Sequence, residues 1–219
     1  MKTIVLFDFC GTLINFQTFD PYIKEVILAY YPDKECQLER KSVRLISKVL
    51  HHFNGDYSFY KHYLTGLTRG IPEDFFREIA RKYYHEKLQP NIISETKNLL
   101  KKFVEQGYEV VVLSGGCDLY INEFAAEYQI NKVVATKILF RKGKSTGKIA
   151  SDCLGRMKLK LLKKDLGEKY LEKSHIIGIT DSPSDLPMLS ICGRKIIISE
   201  NNHQKWVSSD MEEIIWYKT

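Results

Sequence analysis

The chain begins with the stretch MKTIVLFDFCGTL, residues 1–13, and this stretch decides how the rest of the sequence is interpreted. Residues 2–7 are mostly apolar and partly β-branched, which predicts a short buried strand. Asp8 follows that strand directly, so its carboxylate is expected at the mouth of a sheet. Gly11 permits a tight turn that frees backbone amides. Simple capping of that turn is the alternative role for Asp8.

Residues 91–219 alternate between helical and strand patterns. Segments dense in valine and isoleucine predict strands that are buried on both faces, as in a parallel sheet. The predicted strands cover 108–113, 132–136, 175–180 and 195–199. The predicted helices cover 94–106, 118–128 and 154–166. A hairpin is predicted over 138–149. Together with residues 1–14, this alternation indicates an α/β fold, a doubly wound and Rossmann-like core with a parallel sheet.

Residues 15–90 show helical periodicity only. Asp20-Pro21 is a helix-start signal, because a capping side chain precedes a proline at the first helical position. Further helices are predicted over 38–50, over 57–67 and from Pro72 to about residue 88. We therefore predict a small all-helical cap at 15–90, inserted after the first strand of a core made of 1–14 and 91–219. Its many aromatic residues are expected to pack inside the cap, and stacking on a sugar or base is the alternative.

Composition and charge narrow the class of protein. The five cysteines are scattered and form no CxxC pair, which argues for a reducing compartment, so a cytoplasmic protein is expected. No apolar run reaches membrane-spanning length. The formal charge of +6 is interleaved with acidic residues, which favours an anionic small-molecule site over a nucleic-acid surface. The oligomeric state is left open.

Acidic residues follow two of the predicted strands. Asp181 and Asp185 come after the strand at 175–180, and ligands of doubly wound sheets bind beyond the carboxyl ends of the strands. With Asp8 they would place three carboxylates at one edge of the sheet. Such a cluster is costly without a hard divalent cation, and oxygen ligands with water fit Mg²⁺. Capping of the following helix, by Ser182 or Asp181 ahead of Pro183, is a compatible second role.

Two further segments at the same edge suit an anion. Ser114-Gly115-Gly116 ends a predicted strand, and its glycines would let backbone N–H groups turn toward a phosphate. Lys158 heads a predicted helix, where it could neutralise phosphoryl oxygens. Arg156 and Lys160 are competing candidates for that role, and a solvated surface is the ordinary place for such a lysine.

In their order along the chain these segments resemble the four motifs of the haloacid dehalogenase superfamily, and most closely its phosphoserine-phosphatase-type branch with a small helical cap. The motifs are Asp8-Phe9-Cys10-Gly11-Thr12, Ser114-Gly115-Gly116, Lys158 with Cys153 and Gly155 ahead of it, and Asp181-Ser182-Pro183-Ser184-Asp185. The resemblance implies a Mg²⁺-dependent phosphatase that acts on a small-molecule phosphomonoester.

The resemblance also implies a role for each motif. Asp8 would be the nucleophile that forms an aspartyl phosphate. Mg²⁺ would be held by Asp8, the backbone carbonyl of Cys10 and Asp181, with Asp185 in direct or water-bridged support. Ser114, Lys158, Gly115 and Gly116 would contact the transferring phosphoryl group and the substrate.

Cys10 departs from the family pattern. Family phosphatases usually carry a second aspartate at this position, which protonates the leaving alcohol and then activates water. A neutral thiol at Cys10 could donate a proton and so act as a catalytic group, but it is a poor substitute for a carboxylic acid. The alternatives are a substrate with a good leaving group, phosphoryl transfer through a long-lived phosphoenzyme, phosphonate or carbon–halogen cleavage, and a catalytically weak protein that binds phosphometabolites. The remaining motifs favour an active phosphatase.

The cap contains no motif that identifies the substrate. Asn15, Gln17 and Asp20 lie just past the first motif, close to where a substrate head group would sit, and they are the candidate specificity residues. The two connections around 14–16 and 88–92 are expected to act as hinges between cap and core.

Overall fold

The computed structural model describes residues 2–38, 43 and 58–217. The strands are β1 (Thr3–Phe7), β2 (Glu109–Cys117), β3 (Lys132–Arg141), β4 (Lys144–Ser151), β5 (His175–Thr180), β6 (Arg194–Glu200) and β7 (Glu212–Trp216). The helices are α1 (Phe19–Tyr30), α2 (Glu35–Leu38), α3 (Phe59–Leu67), α4 (Glu73–Tyr83), α5 (Ser94–Glu105), α6 (Asp118–Glu127), α7 (Arg156–Leu166), α8 (Glu168–Glu172) and α9 (Leu186–Leu189). Most of the helix predicted over 38–50 lies outside the described residues.

The strands form one seven-stranded sheet in the order β4-β3-β2-β1-β5-β6-β7. Every pairing is parallel except that of β3 with β4, which is an antiparallel hairpin as predicted. The central strand β1 has no exposed residue from Ile4 to Phe7, because helices cover both faces of a doubly wound sheet. The predicted α/β fold is confirmed.

The strand order explains where a site can form. From β1 the chain adds β2, β3 and β4 on one side and then returns to add β5, β6 and β7 on the other. A crevice opens beyond the carboxyl ends of the strands at such a switch point. Asp8, Gly115 and Asp181 lie at the carboxyl ends of β1, β2 and β5, so the three segments meet at that crevice.

The described part of residues 15–90 contains helices, turns and one isolated bridge at Pro72, and no strand. This helical region is anchored on the β3–β4 hairpin by backbone hydrogen bonds of 2.8 Å, from Gly70 N to Ser145 O, from Ser145 N to Ile71 O and from Glu73 N to Gly143 O. The β3–β4 hairpin thus fixes the helical region to the sheet through backbone hydrogen bonds. The domain boundaries at 14 and 91 stay a prediction.

Three local predictions are corrected. β2 continues through Cys117 with a bulge after Ser114, so Ser114-Gly115-Gly116 is an irregular strand end where a free turn was predicted. α1 begins at Phe19 with Thr18 at the N-cap, so Asp20 lies inside the helix and does not cap it. β7 was not predicted, because its five residues begin with two glutamates and join the outer edge of the sheet, where Arg194 pairs with Glu212.

All five cysteines lie within the described residues and are unpaired, and only Cys36 is exposed. No helix of the described chain combines the length and the apolar character needed to cross a membrane.

Candidate active site

The centre of the site is a buried ion cluster formed by Asp8, Lys158 and Asp185. Lys158 Nζ lies 2.8 Å from Asp8 Oδ1 and 2.8 Å from Asp185 Oδ2. Lys158 is 3% exposed, whereas Arg156 and Lys160 are exposed on the same helix α7. The lysine that meets Asp8 is therefore Lys158 and neither of its two competitors.

Backbone and hydroxyl donors hold the two carboxylates of this cluster in place. Phe9 N donates to Asp8 Oδ1 at 2.7 Å, and Thr180 Oγ1 donates to Asp185 Oδ2 at 2.7 Å. Asp185 Oδ1 is buried and has no hydrogen-bond partner among the described residues. An unpartnered carboxylate oxygen in the interior is costly, so this atom suits a water or an ion that completes the cluster.

Asp181 approaches the same point from the loop after β5. Thr12 Oγ1 donates to Asp181 Oδ1 at 2.9 Å, which ties the loop after β1 to the loop after β5. Gly11 has φ +80°, and a Cβ atom built there would lie 2.2 Å from Asp181 Oδ2. Only glycine therefore fits between the two loops. Ser182 takes the capping role, accepting from Ser184 N, and so Asp181 is not needed as the cap.

The electrostatics of the cluster call for a cation. Burial, followed by the neighbouring Asp185 and Asp181 charges, raises the pKa of Asp8, and Lys158 opposes that shift. Burial also raises the pKa of Asp181, against the Thr12 hydrogen bond. Burial alone would lower the pKa of Lys158, but the two carboxylates that it contacts raise it above its usual range. Three carboxylates thus face one lysine.

The donor set fits Mg²⁺ but is not a cage of side chains. No group of three or more His, Cys, Asp and Glu side chains converges as metal ligands within the described chain. Asp8 and Asp181 offer carboxylate oxygens as ligands, and the backbone carbonyl of Cys10 is the third candidate ligand. One oxygen of Asp185 is already bound to Lys158. Mg²⁺ is usually held by one or two carboxylates and keeps several waters, which matches this sparse set.

Cys10 is held by a buried chain of hydroxyl groups. Its Sγ lies 3.1 Å from Thr18 Oγ1, which lies 2.6 Å from the hydroxyl of Tyr120. Cys117 N donates to that hydroxyl at 2.8 Å. Burial, together with the charge of Asp8, raises the pKa of the Cys10 thiol, so the thiol is neutral at physiological pH.

Ser114 is fully buried, and its Oγ accepts a hydrogen bond from Gly116 N at 3.0 Å. A hydroxyl both accepts and donates, so this contact leaves the Ser114 hydrogen for a second partner. A Cβ atom on Gly116 would lie 2.6 Å from the Tyr120 hydroxyl, so glycine is required here to let the strand end pass that side chain.

A cavity of about 260 Å³ opens from this cluster toward the helical region. It is lined by Asp8, Cys10, Gln17, Phe19, Asp20, Ser58, Lys61, Gly115, Gly116, Leu154, Lys158, Asp181, Ser182 and Ser184. The candidate specificity residues Gln17 and Asp20 thus reach it. Asn15 is not among the lining residues, and its backbone N donates to Asn91 O at 3.1 Å.

Lys61 is the charged lining residue that sequence reasoning missed. It is 4% exposed and lies in α3, in a segment that reads as an ordinary amphipathic helix. Nothing in the local pattern separates Lys61 from a solvated lysine, because its acceptors lie more than fifty residues away along the chain.

The fold and the buried Asp–Lys–Asp cluster at its switch point are those of a defined class of hydrolases. The chain belongs to the haloacid dehalogenase-like hydrolase family, whose model matches residues 5–190. The predicted family and the hydrolase class are confirmed.

The relatives that align along the chain include phosphoserine phosphatases, in agreement with the predicted branch. The phosphoserine phosphatase of Methanocaldococcus jannaschii is 23% identical over 224 residues, which cover 99% of this chain and 97% of that protein. A probable phosphatase of Mycobacterium tuberculosis is 25% identical over 137 residues, 63% of this chain and 48% of the relative. The alignment thus spans about half the length of this second relative.

Solved structures agree on the fold. A substrate-bound phosphoserine phosphatase superposes with a TM-score of 0.60 at 21% identity, covering 90% of this chain and 86% of the other. A Bordetella pertussis protein of unknown function superposes with a TM-score of 0.73 at 16% identity, covering 90% of both chains.

Proposed function

We propose that this protein is a Mg²⁺-dependent phosphatase that hydrolyses a small-molecule phosphomonoester through an aspartyl phosphate on Asp8. The observation that carries the proposal is the contact of 2.8 Å between the buried Asp8 carboxylate and Lys158, at the floor of a cavity. Family membership and phosphatase relatives support it. The unpaired cysteines fit a reducing compartment, and we propose that the enzyme acts in the cytoplasm.

The proposed chemistry proceeds in two displacements. A carboxylate oxygen of Asp8 attacks phosphorus, the bond to the ester oxygen breaks, and that oxygen leaves and takes a proton from solvent water. Water then attacks the phosphorus of the aspartyl phosphate, which releases inorganic phosphate and restores Asp8. Phosphoryl transfer depends mainly on in-line positioning and on neutralisation of the phosphoryl oxygens.

The chain supplies positioning groups for both steps. Lys158 contacts Asp8 and can neutralise a phosphoryl oxygen, and the hydrogen of Ser114 Oγ is available for a second oxygen. Gly115 and Gly116 line the cavity beside them. Mg²⁺, held by Asp8, Asp181 and the carbonyl of Cys10 with support from Asp185, would neutralise the charge that gathers on the phosphoryl group.

A phosphotransferase with a long-lived phosphoenzyme is the second candidate. The observation that favours it is the environment of Cys10, whose neutral thiol is bound to Thr18 and cannot accept a proton from water as a carboxylate does. The first displacement needs only a leaving group that departs with little acid assistance. The second displacement would then be slow toward water and open to another acceptor.

We further propose that Asp20 and Gln17 select the substrate head group. Burial raises the pKa of Asp20, with the nearby charges of Lys61 and Lys24 opposing the shift. Asp20→Ala is expected to raise KM for the true substrate about tenfold or more, and to leave turnover of acetyl phosphate unchanged. The steady-state kinetics of the two substrates check this, and equal KM values in variant and wild type would remove Asp20 from the head-group site.

The proposed function is tested by phosphate release from a broad panel of phosphomonoesters. With Mg²⁺ we expect hydrolysis of at least one ester, complete loss of activity with excess EDTA, and recovery when Mg²⁺ is restored. Asp181→Asn is expected to raise the Mg²⁺ concentration for half-maximal activity by about tenfold or more, because one of two carboxylate ligands becomes neutral. Activity that survives EDTA, or a variant with the wild-type Mg²⁺ requirement, contradicts the assignment.

A further inference from the structure

Lys61 is the only lysine besides Lys158 that is buried in the described part of the chain. Its Nζ lies 2.7 Å from Gly115 O, 2.8 Å from Thr136 Oγ1 and 2.5 Å from Asp152 Oδ1. The same ammonium lies 4.4 Å from the centroid of the Phe19 ring. A buried ammonium is expensive unless it is paired and hydrogen-bonded, and here both conditions are met.

The three acceptors account for all hydrogens of the ammonium group. A lysine has three N–H donors and no acceptor, and Lys61 has one oxygen within hydrogen-bond distance for each donor. Lys61 lines the cavity beside Asp8, but its donors are directed at the protein. A substrate anion could bind the Lys61 ammonium only by displacing one of these three contacts. The contacts therefore indicate that Lys61 positions other groups of the site.

The contact with Gly115 fixes one peptide unit of the site. Gly115 O and Gly116 N belong to the same peptide group. Lys61 holds its oxygen at 2.7 Å, and Ser114 Oγ accepts from its nitrogen at 3.0 Å. Because this peptide joins two glycines, no side chain of its own restricts its orientation. Thr136 Oγ1 also donates to Gly115 O, at 3.0 Å. These three contacts set the direction of the peptide and, through it, the position of the Ser114 hydroxyl.

The other two acceptors connect Lys61 to the segment that leads to Lys158. Asp152 follows β4 directly, and Thr136 Oγ1 accepts from Cys153 N at 3.2 Å. The chain then passes Gly155 and enters α7, which carries Lys158. A single side chain of α3 thus joins the helical region to the Ser114–Gly116 strand end and to the segment that leads to Lys158.

We propose that Lys61 is a positioning residue that sets the Gly115–Gly116 peptide and the Asp152 segment for phosphoryl transfer, so that the site is complete only when α3 lies against the core. This inference rests on the proposed function and extends it to a residue outside the four motifs. A positioning defect slows transfer to Asp8 by the same factor with every phosphate donor. A residue that binds the leaving group affects only donors large enough to reach it.

The test compares single-turnover phosphoenzyme formation with acetyl phosphate and with phenyl phosphate in the presence of Mg²⁺. Lys61→Met is expected to lower the rate about 10²-fold with both donors, the scale of effect that a small misplacement in an active site produces. Lys24→Met, which alters a partly exposed lysine of α1, is the matched control and is expected to keep the wild-type rate. Asp152→Asn is expected to lower both rates by a smaller common factor.

The outcomes separate the inference from the function on which it rests. A wild-type rate in Lys61→Met, or a loss confined to phenyl phosphate, overturns the positioning role while leaving the phosphatase assignment intact. Absence of a phosphoenzyme in the wild type overturns both. If circular dichroism shows that Lys61→Met is unfolded, Asp152→Asn decides alone, and unchanged rates with both donors in that folded variant overturn the proposal.

Discussion

Lys158→Met is expected to lower kcat/KM for an aryl phosphate by about 10³-fold or more. Removal of one preorganised donor from a transition-state site typically costs about 10²–10³. Lys158 also carries the charge that faces Asp8 and Asp185, so the loss is expected at or beyond the upper end of that range. Steady-state hydrolysis at saturating Mg²⁺ measures the effect.

The same substitution is expected to destabilise the protein in the absence of Mg²⁺. Breaking a buried ion pair typically costs about 3–5 kcal/mol, because the remaining charge is left uncompensated. Urea unfolding in EDTA measures the change in the free energy of unfolding. Lys160→Met is the matched control, since Lys160 is exposed on the same helix, and it is expected to change neither activity nor stability. Wild-type activity in Lys158→Met would contradict a role for this lysine in phosphoryl transfer.

Cys10→Asp is expected to accelerate hydrolysis of generic aryl and alkyl phosphates, by about 10²-fold or more. General acid–base catalysis by a positioned side chain typically contributes 10²–10⁴. The Cys10 site is buried beside Asp8, and both features favour the protonated form of an acid. An aspartic acid there is suited to protonate the leaving oxygen and then to activate water.

Cys10→Ser separates the effect of the carboxyl group from that of merely removing sulfur. We expect no acceleration in Cys10→Ser, because a hydroxyl is no better an acid or base than the thiol that it replaces. Turnover of several alkyl phosphates with different leaving-group pKa values measures the gain, which is expected to be largest for the poorest leaving group. Intact activity without any gain in Cys10→Asp means that Cys10 is fitted to a different leaving group or transfer step.

The order of elements could be predicted because the strongest patterns are local. The segments that became β1, β5 and β6 are short runs of branched apolar residues bounded by polar ones, and their predicted ends agree with the structure to within one residue. The carboxylates could be placed together since parallel strands gather their carboxyl ends at one edge. β7 was not predicted because it begins with two glutamates, and the three apolar residues that follow them are too few to give a strand pattern.

The details of the site depend on contacts between segments that are far apart along the chain. Local sequence patterns do not predict such contacts. The sequence does not distinguish between the three basic residues Arg156, Lys158 and Lys160. Only the structure does so, because Lys158 alone is buried beside Asp8. Asp20 reads as a helix cap, but the loop before α1 places Thr18 at the N-cap. Thr18 in turn bonds Cys10 and Tyr120, a contact that spans 102 residues.

The central claim is that Asp8 carries the phosphoryl group, and phosphoenzyme trapping tests it most directly. The protein is mixed with labelled acetyl phosphate or an aryl phosphate in a single turnover with Mg²⁺, and the reaction is quenched in acid. We expect label on the wild type, none on Asp8→Asn, none without Mg²⁺, and a decay rate that Cys10→Asp increases. Label that persists on Asp8→Asn, or substrate turnover by that variant at the wild-type rate, contradicts the account.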